Sequence, residues 1–142
     1  MFLGEFQHSL DAKGRVILPA KFRDQLAGGA FVAKGRDGCL FVYTAEEFEQ
    51  VAQQAREASR RGDDERQAAR SFFAGAADVV PDKQGRVAIP QHLRDYAGLD
   101  RDVVVAGVFS RIEIWDSGRW RERDRLGEQA LTTSENLPDF GI

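Results

Sequence analysis

The fold is decided by the stretch DAKGRVILPAKFRD at residues 11–24, which recurs without a gap as DKQGRVAIPQHLRD at residues 82–95. Seven of these fourteen positions are identical, whereas average composition predicts about one. Weaker similarity continues downstream, because residues 40–43 match residues 112–115. The chain therefore carries one module of about 55 residues twice. Two copies are too few for a solenoid, so the duplication predicts a pseudo-symmetric pair around a shared core.

Each copy predicts the same local structure. In the first copy, Gly14 stands where a turn requires positive φ, and Asp11 can accept the backbone N–H groups that close the turn. The apolar residues 16–18 predict a strand that leaves the turn, and Pro19 is expected at the first position of a short helix. The second copy repeats these features at Asp82, Gly85, residues 87–89 and Pro90.

The segment between the copies has helical rather than β character. Thr44 with Glu47 three residues later is the pattern of a capping box, which predicts a helix over residues 45–60. Gly62 and Asp63 interrupt the helical spacing, and residues 64–73 predict a second helix with an acidic start. The two modules are therefore expected to be linked by a helical hairpin.

These elements define an α+β chain with four segments. The first β-module is assigned to residues 1–50, the connecting hairpin to residues 51–76 and the second β-module to residues 77–125. Residues 117–126 are expected to form a short, arginine-rich helix in the second module. The polar residues 126–142 are interpreted as a C-terminal tail.

Composition limits the class of protein. The 142 residues are 42% hydrophobic and 30% charged, which is typical of a folded soluble protein and excludes wholesale disorder. No apolar run approaches the length of a membrane span, and residues 1–5 lack the features of a signal peptide, so a cytoplasmic location is expected. The net charge of -3 argues mildly against a nucleic-acid partner. Binding depends on where the charges lie, however, so the objection applies only to the average.

Four motifs together carry a family resemblance. They are the start MFLGEF at residues 1–6, the doubled Asp-x-x-Gly-Arg-Val turn with its following proline, GCLFVY at residues 38–43 and RSFF at residues 70–73. In these motifs the chain resembles the MraZ family over nearly its whole length. The resemblance implies two tandem swapped-hairpin modules of the AbrB type. It also implies a nucleoid-associated repressor of the division and cell-wall gene cluster, its own promoter included, which binds repeated boxes of double-stranded DNA as a ring-shaped homo-oligomer.

The turns supply the candidate DNA contacts. Arg15 and Arg86 stand at the two tips, with Lys13 and Lys83 beside them. A guanidinium group can bind phosphate bidentately or contact guanine O6 and N7 in the major groove. The two lysines do not align between the copies, so the tips are expected to be related but not equivalent. A structural role in the turns is assigned to four residues: Asp11, Gly14, Asp82 and Gly85.

A purely structural interpretation of the arginines remains open from the residues alone. Asp11 could pair with Arg15 simply to stiffen the turn, and for an isolated motif of this kind that interpretation is the better one. The family resemblance favours DNA contact for both tip arginines. Arg23 and Arg94 precede aspartates on the short helices, so a solvated or intramodule ion pair is expected for them.

Enzymatic chemistry is not expected. The repeated carboxylates of Asp11 and Asp82 could form an aspartic-protease dyad. Such enzymes continue with a small hydroxyl residue and glycine, whereas Ala-Lys and Lys-Gln follow here. His8 and His92 do not align between the copies, and Cys39 is predicted to be a buried small hydrophobe. No catalytic residue, metal, cofactor or small-molecule substrate is therefore assigned.

Two alternatives to a DNA-binding regulator remain. The first is an assembly protein that forms a ring without DNA. The second is an antitoxin-type relative of AbrB that holds a protein partner, for which residues 45–73 are the available surface.

Overall fold

The computed structural model describes residues 1–135 and residue 137. It contains eight strands and five α-helices within those residues. The strands are β1 (Phe2–Ser9), β2 (Arg15–Ile17), β3 (Ala30–Lys34), β4 (Leu40–Thr44), β5 (Ala77–Val79), β6 (Arg86–Ala88), β7 (Asp102–Phe109) and β8 (Ile112–Asp116). The helices are α1 (Ala20–Arg23), α2 (Ala45–Ala58), α3 (Asp63–Gly75), α4 (Gln91–Ala97) and α5 (Ser117–Thr133). The α+β class and the tandem modules are thereby confirmed.

The two modules exchange their first strands. Six strands form one antiparallel sheet in the order β1-β7-β8-β4-β3-β5. The first strand of module one, β1, pairs along its whole length with β7 of module two. The first strand of module two, β5, pairs with β3 of module one. The sheet is therefore pseudo-symmetric about the contact between β4 and β8, and neither half has a complete sheet alone.

A second exchange forms a separate two-stranded ribbon. The strands β2 and β6, which follow the two repeated turns, pair antiparallel with Val16 opposite Val87. The backbone N–H of Leu18 donates to the carbonyl of Gly85 at 2.9 Å, and that of Ile89 donates to the carbonyl of Gly14 at 3.0 Å. These reciprocal hydrogen bonds bring the two repeats of the sequence into direct contact.

The ribbon covers one face of the large sheet. Val16 and Val87 point inward and are at most 1% exposed. They join a single hydrophobic core with the inner face of the sheet and the short helices α1 and α4. Phe22 of α1 anchors this core, because its ring packs edge-to-face on Phe2 and Phe6 at centroid distances of 5.2 and 5.4 Å. The shared core expected from the repeat is thus present.

The opposite face of the sheet carries a second, aromatic cluster. Successive side chains of a strand point to opposite faces, so Leu40 and Val42 enter the first core while Phe41 and Tyr43 enter the second. Partly buried aromatic residues from the covering helices complete the cluster: Phe48 of α2, Phe72 of α3 and Trp120 of α5. The hairpin and the last helix are therefore fixed on the face opposite the ribbon.

The helical hairpin matches its prediction closely. The side chain of Thr44 caps α2 by accepting a hydrogen bond from the backbone N–H of Glu47 at 3.2 Å. The first helix ends at Ala58, two residues before the predicted end. The second runs from Asp63 to Gly75 with three acidic residues in its first turn, where they complement the helix dipole.

Two local predictions differ from the structure. The last helix does not end at Leu126 but continues to Thr133, so it is the longest helix among the described residues. The polar composition of residues 127–133 did not predict this extension, because an exposed helix needs only a narrow apolar stripe. Pro19 and Pro90 are N-cap residues with extended ψ angles of 139° and 147°, one position earlier than predicted. Residues 136 and 138–142 of the predicted tail lie outside the described residues. Within the described part, no helix is long and apolar enough to cross a membrane.

Cys39 is expected to resist alkylation in the folded protein. Its side chain is 1% exposed, and burial, with the charge of Glu113 adding to it, raises the pKa of the thiol to about 12. Only the thiolate reacts at a useful rate. Intact-mass measurement after iodoacetamide treatment at neutral pH should show the unmodified chain, and treatment in denaturant should add one carbamidomethyl group. Rapid modification of the native protein would contradict the buried placement.

Candidate nucleic-acid interface

The first repeated turn is closed by Asp11. One carboxylate oxygen accepts the backbone N–H groups of Lys13 and Arg15, both at 2.9 Å. The other accepts the Nε–H of Arg15 at 2.7 Å. Gly14 has a φ of +74° and donates its N–H to the carbonyl of Asp11 at 3.0 Å. These contacts close the turn and hold the Arg15 side chain beside it.

The second turn reproduces the first contact for contact. One oxygen of Asp82 accepts the backbone N–H groups of Gln84 and Arg86 at 2.9 Å, and the other accepts the Nε–H of Arg86 at 2.8 Å. Gly85 has a φ of +79°. The ion pair proposed as the structural alternative is therefore real in both copies.

This ion pair leaves part of each guanidinium group available for other contacts. It uses only Nε, and within the described residues neither Nη atom of Arg15 or Arg86 has a hydrogen-bond partner. Their side chains remain 28% and 30% exposed. Each aspartate thus fixes the direction of the guanidinium group and leaves its outer edge open, which is the edge needed for a bidentate contact with a base or phosphate.

The ribbon places both arginines on one outward face. In its register Arg15 lies opposite Ala88, and Arg86 lies opposite Ile17. These four residues alternate with the buried valines, so they share the face directed away from the core. The two tip arginines are consequently diagonal neighbours on a surface that the major groove is wide enough to admit. The sequence predicted the two tips, but not that they would form one surface.

Arg23 and Arg94 have a different role from the one predicted. Neither forms an ion pair within the described residues. The guanidinium of Arg23 packs against Gly85 of the other module and donates from Nε to the carbonyl of Leu18 at 3.0 Å. The guanidinium of Arg94 likewise packs against Gly14 of the other module, but it donates to the Gln91 side chain at 2.9 Å and its buried Nε has no hydrogen-bond partner among the described residues. The prediction of ion pairs was wrong because it treated each module as self-contained, whereas the exchange sets each arginine under the turn of the other module.

The charged tip residues Lys13 and Lys83 are exposed, and their ammonium groups have no hydrogen-bond or ion-pair partner within the described part of the chain. Gln84 occupies the place of Lys13 in the second turn. The two tips therefore share their arginine geometry and differ in the position of their flexible positive charge.

The contacts of the carboxylates disagree with acid–base catalysis by a dyad. A shared proton requires one carboxyl group with a raised pKa. The pKa of Asp11 is instead lowered, chiefly by the backbone N–H of Arg15, and that of Asp82 is lowered in the same way by Arg86. No group of three or more metal-ligating side chains occurs among residues 1–135 and 137. His92 contacts the backbone carbonyl of Gly75 at 2.8 Å, and burial lowers the pKa of His8.

The lowered pKa values predict how the turns respond to acid. A carboxyl group whose folded pKa lies below its unfolded value stabilises the fold above the unfolded value and loses that effect as the pH falls through the folded one. We expect wild type to be more stable than Asp11→Asn/Asp82→Asn at neutral pH, and the difference to shrink below about pH 4. Urea unfolding followed by circular dichroism at several pH values measures this. A difference that grows on acidification would contradict the ion pairs.

Comparison of the sequence with known proteins identifies the family of this chain. A family model described as "MraZ protein, putative antitoxin-like" matches residues 1–71 and again residues 72–133. The chain belongs to the MraZ family. The relative from Salinispora arenicola is 57% identical over 120 residues, which cover 84% of each chain. The relative from Micrococcus luteus is 50% identical over 139 residues, covering 98% of this chain and 96% of its own. Both are named "Transcriptional regulator MraZ".

The two matches to the MraZ model agree with the internal repeat. Each contains one Asp-x-x-Gly-Arg turn. The resemblance identified from the sequence motifs is thereby confirmed.

Proposed function

We propose that this protein is a sequence-specific DNA-binding transcriptional regulator that presents the β2–β6 ribbon to the major groove. The observation that carries the proposal is the pair Arg15 and Arg86, which share one outward face and are each oriented by an aspartate through Nε alone. A preorganised guanidinium loses little conformational freedom on binding a guanine. The names of the curated relatives support transcriptional regulation.

The lysines supply the complementary contact. Lys13 and Lys83 are free ammonium groups beside the arginines, and their flexible stems suit phosphate oxygens rather than base edges. Phosphate contacts position the ribbon, while the arginines select the sequence. Binding should therefore weaken as the salt concentration rises.

We propose that oligomerisation gives an acidic protein enough basic tips to bind DNA. One chain offers only two basic tips on a protein of net charge -3. A ring-shaped homo-oligomer presents many tips in one array, and effective concentration multiplies their separate affinities. We propose that the ring binds repeated boxes about one helical turn apart, because such boxes face the same side of the duplex.

The proposed regulatory target rests on the family resemblance and not on the fold. We propose that the protein acts in the cytoplasm, on the nucleoid, as a repressor of the division and cell-wall gene cluster, its own promoter included. The strand exchange in both the sheet and the ribbon supports the swapped-hairpin assignment of the AbrB type.

Footprinting on the promoter upstream of the gene tests the proposal, combined with selection of bound duplexes from a random library. We expect repeated protected segments about one helical turn apart. Light scattering of the same sample should give a mass several times that of one chain. A ring that neither protects the promoter nor enriches any duplex would favour the assembly protein without DNA. A protein that enriches duplexes as a monomer would exclude the ring.

A further inference from the structure

The outward face of the ribbon is symmetric in its charges and asymmetric in its apolar side chains. The pseudo-symmetry of the repeat exchanges Arg15 with Arg86 and Ile17 with Ala88. The arginines are identical in kind and in their bonds to aspartate. The other pair differs, because isoleucine stands opposite Arg86 while alanine stands opposite Arg15.

Ile17 is not required by the core. Its side chain is 42% exposed, while its neighbours Val16 and Leu18 are fully buried. The equivalent Ala88 forms the same ladder with the smaller side chain, so the ribbon can be built without a large residue at this position. Scattered exposed apolar residues are common on protein surfaces. Ile17 differs from them in its position, because it lies opposite Arg86 and next to Arg15 on the same face of the proposed DNA-binding surface.

Only one apolar group is offered to such a side chain in the major groove. The base edges there present hydrogen-bond donors and acceptors, together with the 5-methyl group of thymine. The Ile17 side chain has no donor or acceptor of its own, and it extends further from the backbone than that of Ala88. A β-branched side chain also keeps few rotamers, so little side-chain entropy is lost on contact.

We infer that Ile17 is a specificity-determining residue, which packs on the methyl group of a thymine beside the base that Arg86 contacts. The inference rests on the proposed DNA binding by the ribbon. Because Ala88 has only one methyl group at the equivalent position, we expect a weaker contact there, so that the two halves of the ribbon differ in their preference for thymine.

The test replaces thymines one at a time by uracil in the duplex that the full-length protein enriches from the random library. Uracil keeps every hydrogen-bonding group of thymine and lacks only the methyl group. We expect one such replacement to weaken wild-type binding roughly threefold to tenfold, the effect of losing one buried methyl-sized contact. Ile17→Ala should lose most of this difference and bind the thymine duplex with nearly the affinity that wild type shows for the uracil duplex.

Two variants serve as controls. Ile17→Val keeps a branched apolar side chain, and we expect it to retain part of the preference for thymine. Leu131→Ala removes another exposed apolar side chain, 55% exposed on α5, and should leave the preference unchanged. Thermal melting of each variant verifies that the fold is intact.

The possible results distinguish a failure of the role of Ile17 from a failure of DNA binding itself. If no single uracil weakens wild-type binding, or if Ile17→Ala retains the full penalty, the role of Ile17 is excluded while DNA binding stands. If wild type enriches no duplex, the proposed function itself fails.

Discussion

Arg15→Ala/Arg86→Ala is expected to lose specific DNA binding while keeping its fold. Both guanidinium groups lie on the outward face of the ribbon, and their Nη atoms are free for bases. Each lost base contact costs about 1–3 kcal/mol. Two contacts per protomer, repeated around a ring, should reduce affinity for the selected duplex at least about a hundredfold. Fluorescence anisotropy with labelled duplex measures the loss.

Two further variants distinguish base reading from a loss of charge. Arg56→Ala/Arg60→Ala removes the same charge from exposed positions on the hairpin, and we expect it to bind almost as wild type does. Lys13→Ala/Lys83→Ala should weaken binding to all duplexes alike. The slope of the logarithm of the binding constant against the logarithm of the salt concentration should become shallower by about one for each lysine. If Arg15→Ala/Arg86→Ala bound the selected duplex as tightly as wild type does, the ribbon would be excluded as the surface that contacts the bases.

Gly85→Ala is expected to cause the largest loss of stability among single substitutions in the turns. The residue has a φ of +79°, where an L side chain is strained by about 1–2 kcal/mol. An added methyl group would also overlap the Nε and Cζ atoms of Arg23. Overpacking of this kind costs about 1–3 kcal/mol. Together these effects predict a decrease of about 2–5 kcal/mol in the free energy of unfolding.

A double-mutant cycle separates the two causes. Arg23→Ala/Gly85→Ala removes the overlap and keeps the backbone strain, so the second substitution should cost less in the Arg23→Ala background. Gly127→Ala is the matched control, because it lies in α5 with nothing within 4 Å of an added Cβ. It should stabilise the protein by up to about 1 kcal/mol. Urea unfolding gives all four values. A Gly85→Ala variant as stable as wild type would contradict the packing of Arg23 under the turn.

The sequence predicted those parts of the fold that local chemistry determines. The repeated turns, the buried faces of the short helices and the capped hairpin each follow from residues within a few positions of one another. Pairings between the modules could not be predicted in this way. Val16 meets Val87, and Arg23 meets Gly85, only because two distant segments share a core. No periodicity within one module encodes such a partner.

The candidate site was predicted residue by residue but not as a surface. The turn motif identified Arg15 and Arg86, and its aspartates explain how they are held. Their arrangement on one face depends on the register of the ribbon, which the sequence left open. Ile17 was missed because an apolar residue in an apolar strand suggests a core position. The period of two along β2 is the sequence signal that points to Ile17, because it puts Ile17 on the same face as the polar Arg15.

The exchange of first strands also has a consequence for synthesis on the ribosome. The strand β1 is synthesised before the other described strands, yet its partner β7 begins only at Asp102. Until then its apolar residues, Phe2 among them, have no sheet to join. Contacts so distant along the chain close slowly and leave hydrophobic surface exposed meanwhile. The large sheet can therefore be completed only after β7 has been synthesised, and we expect the nascent segment before it to expose apolar surface.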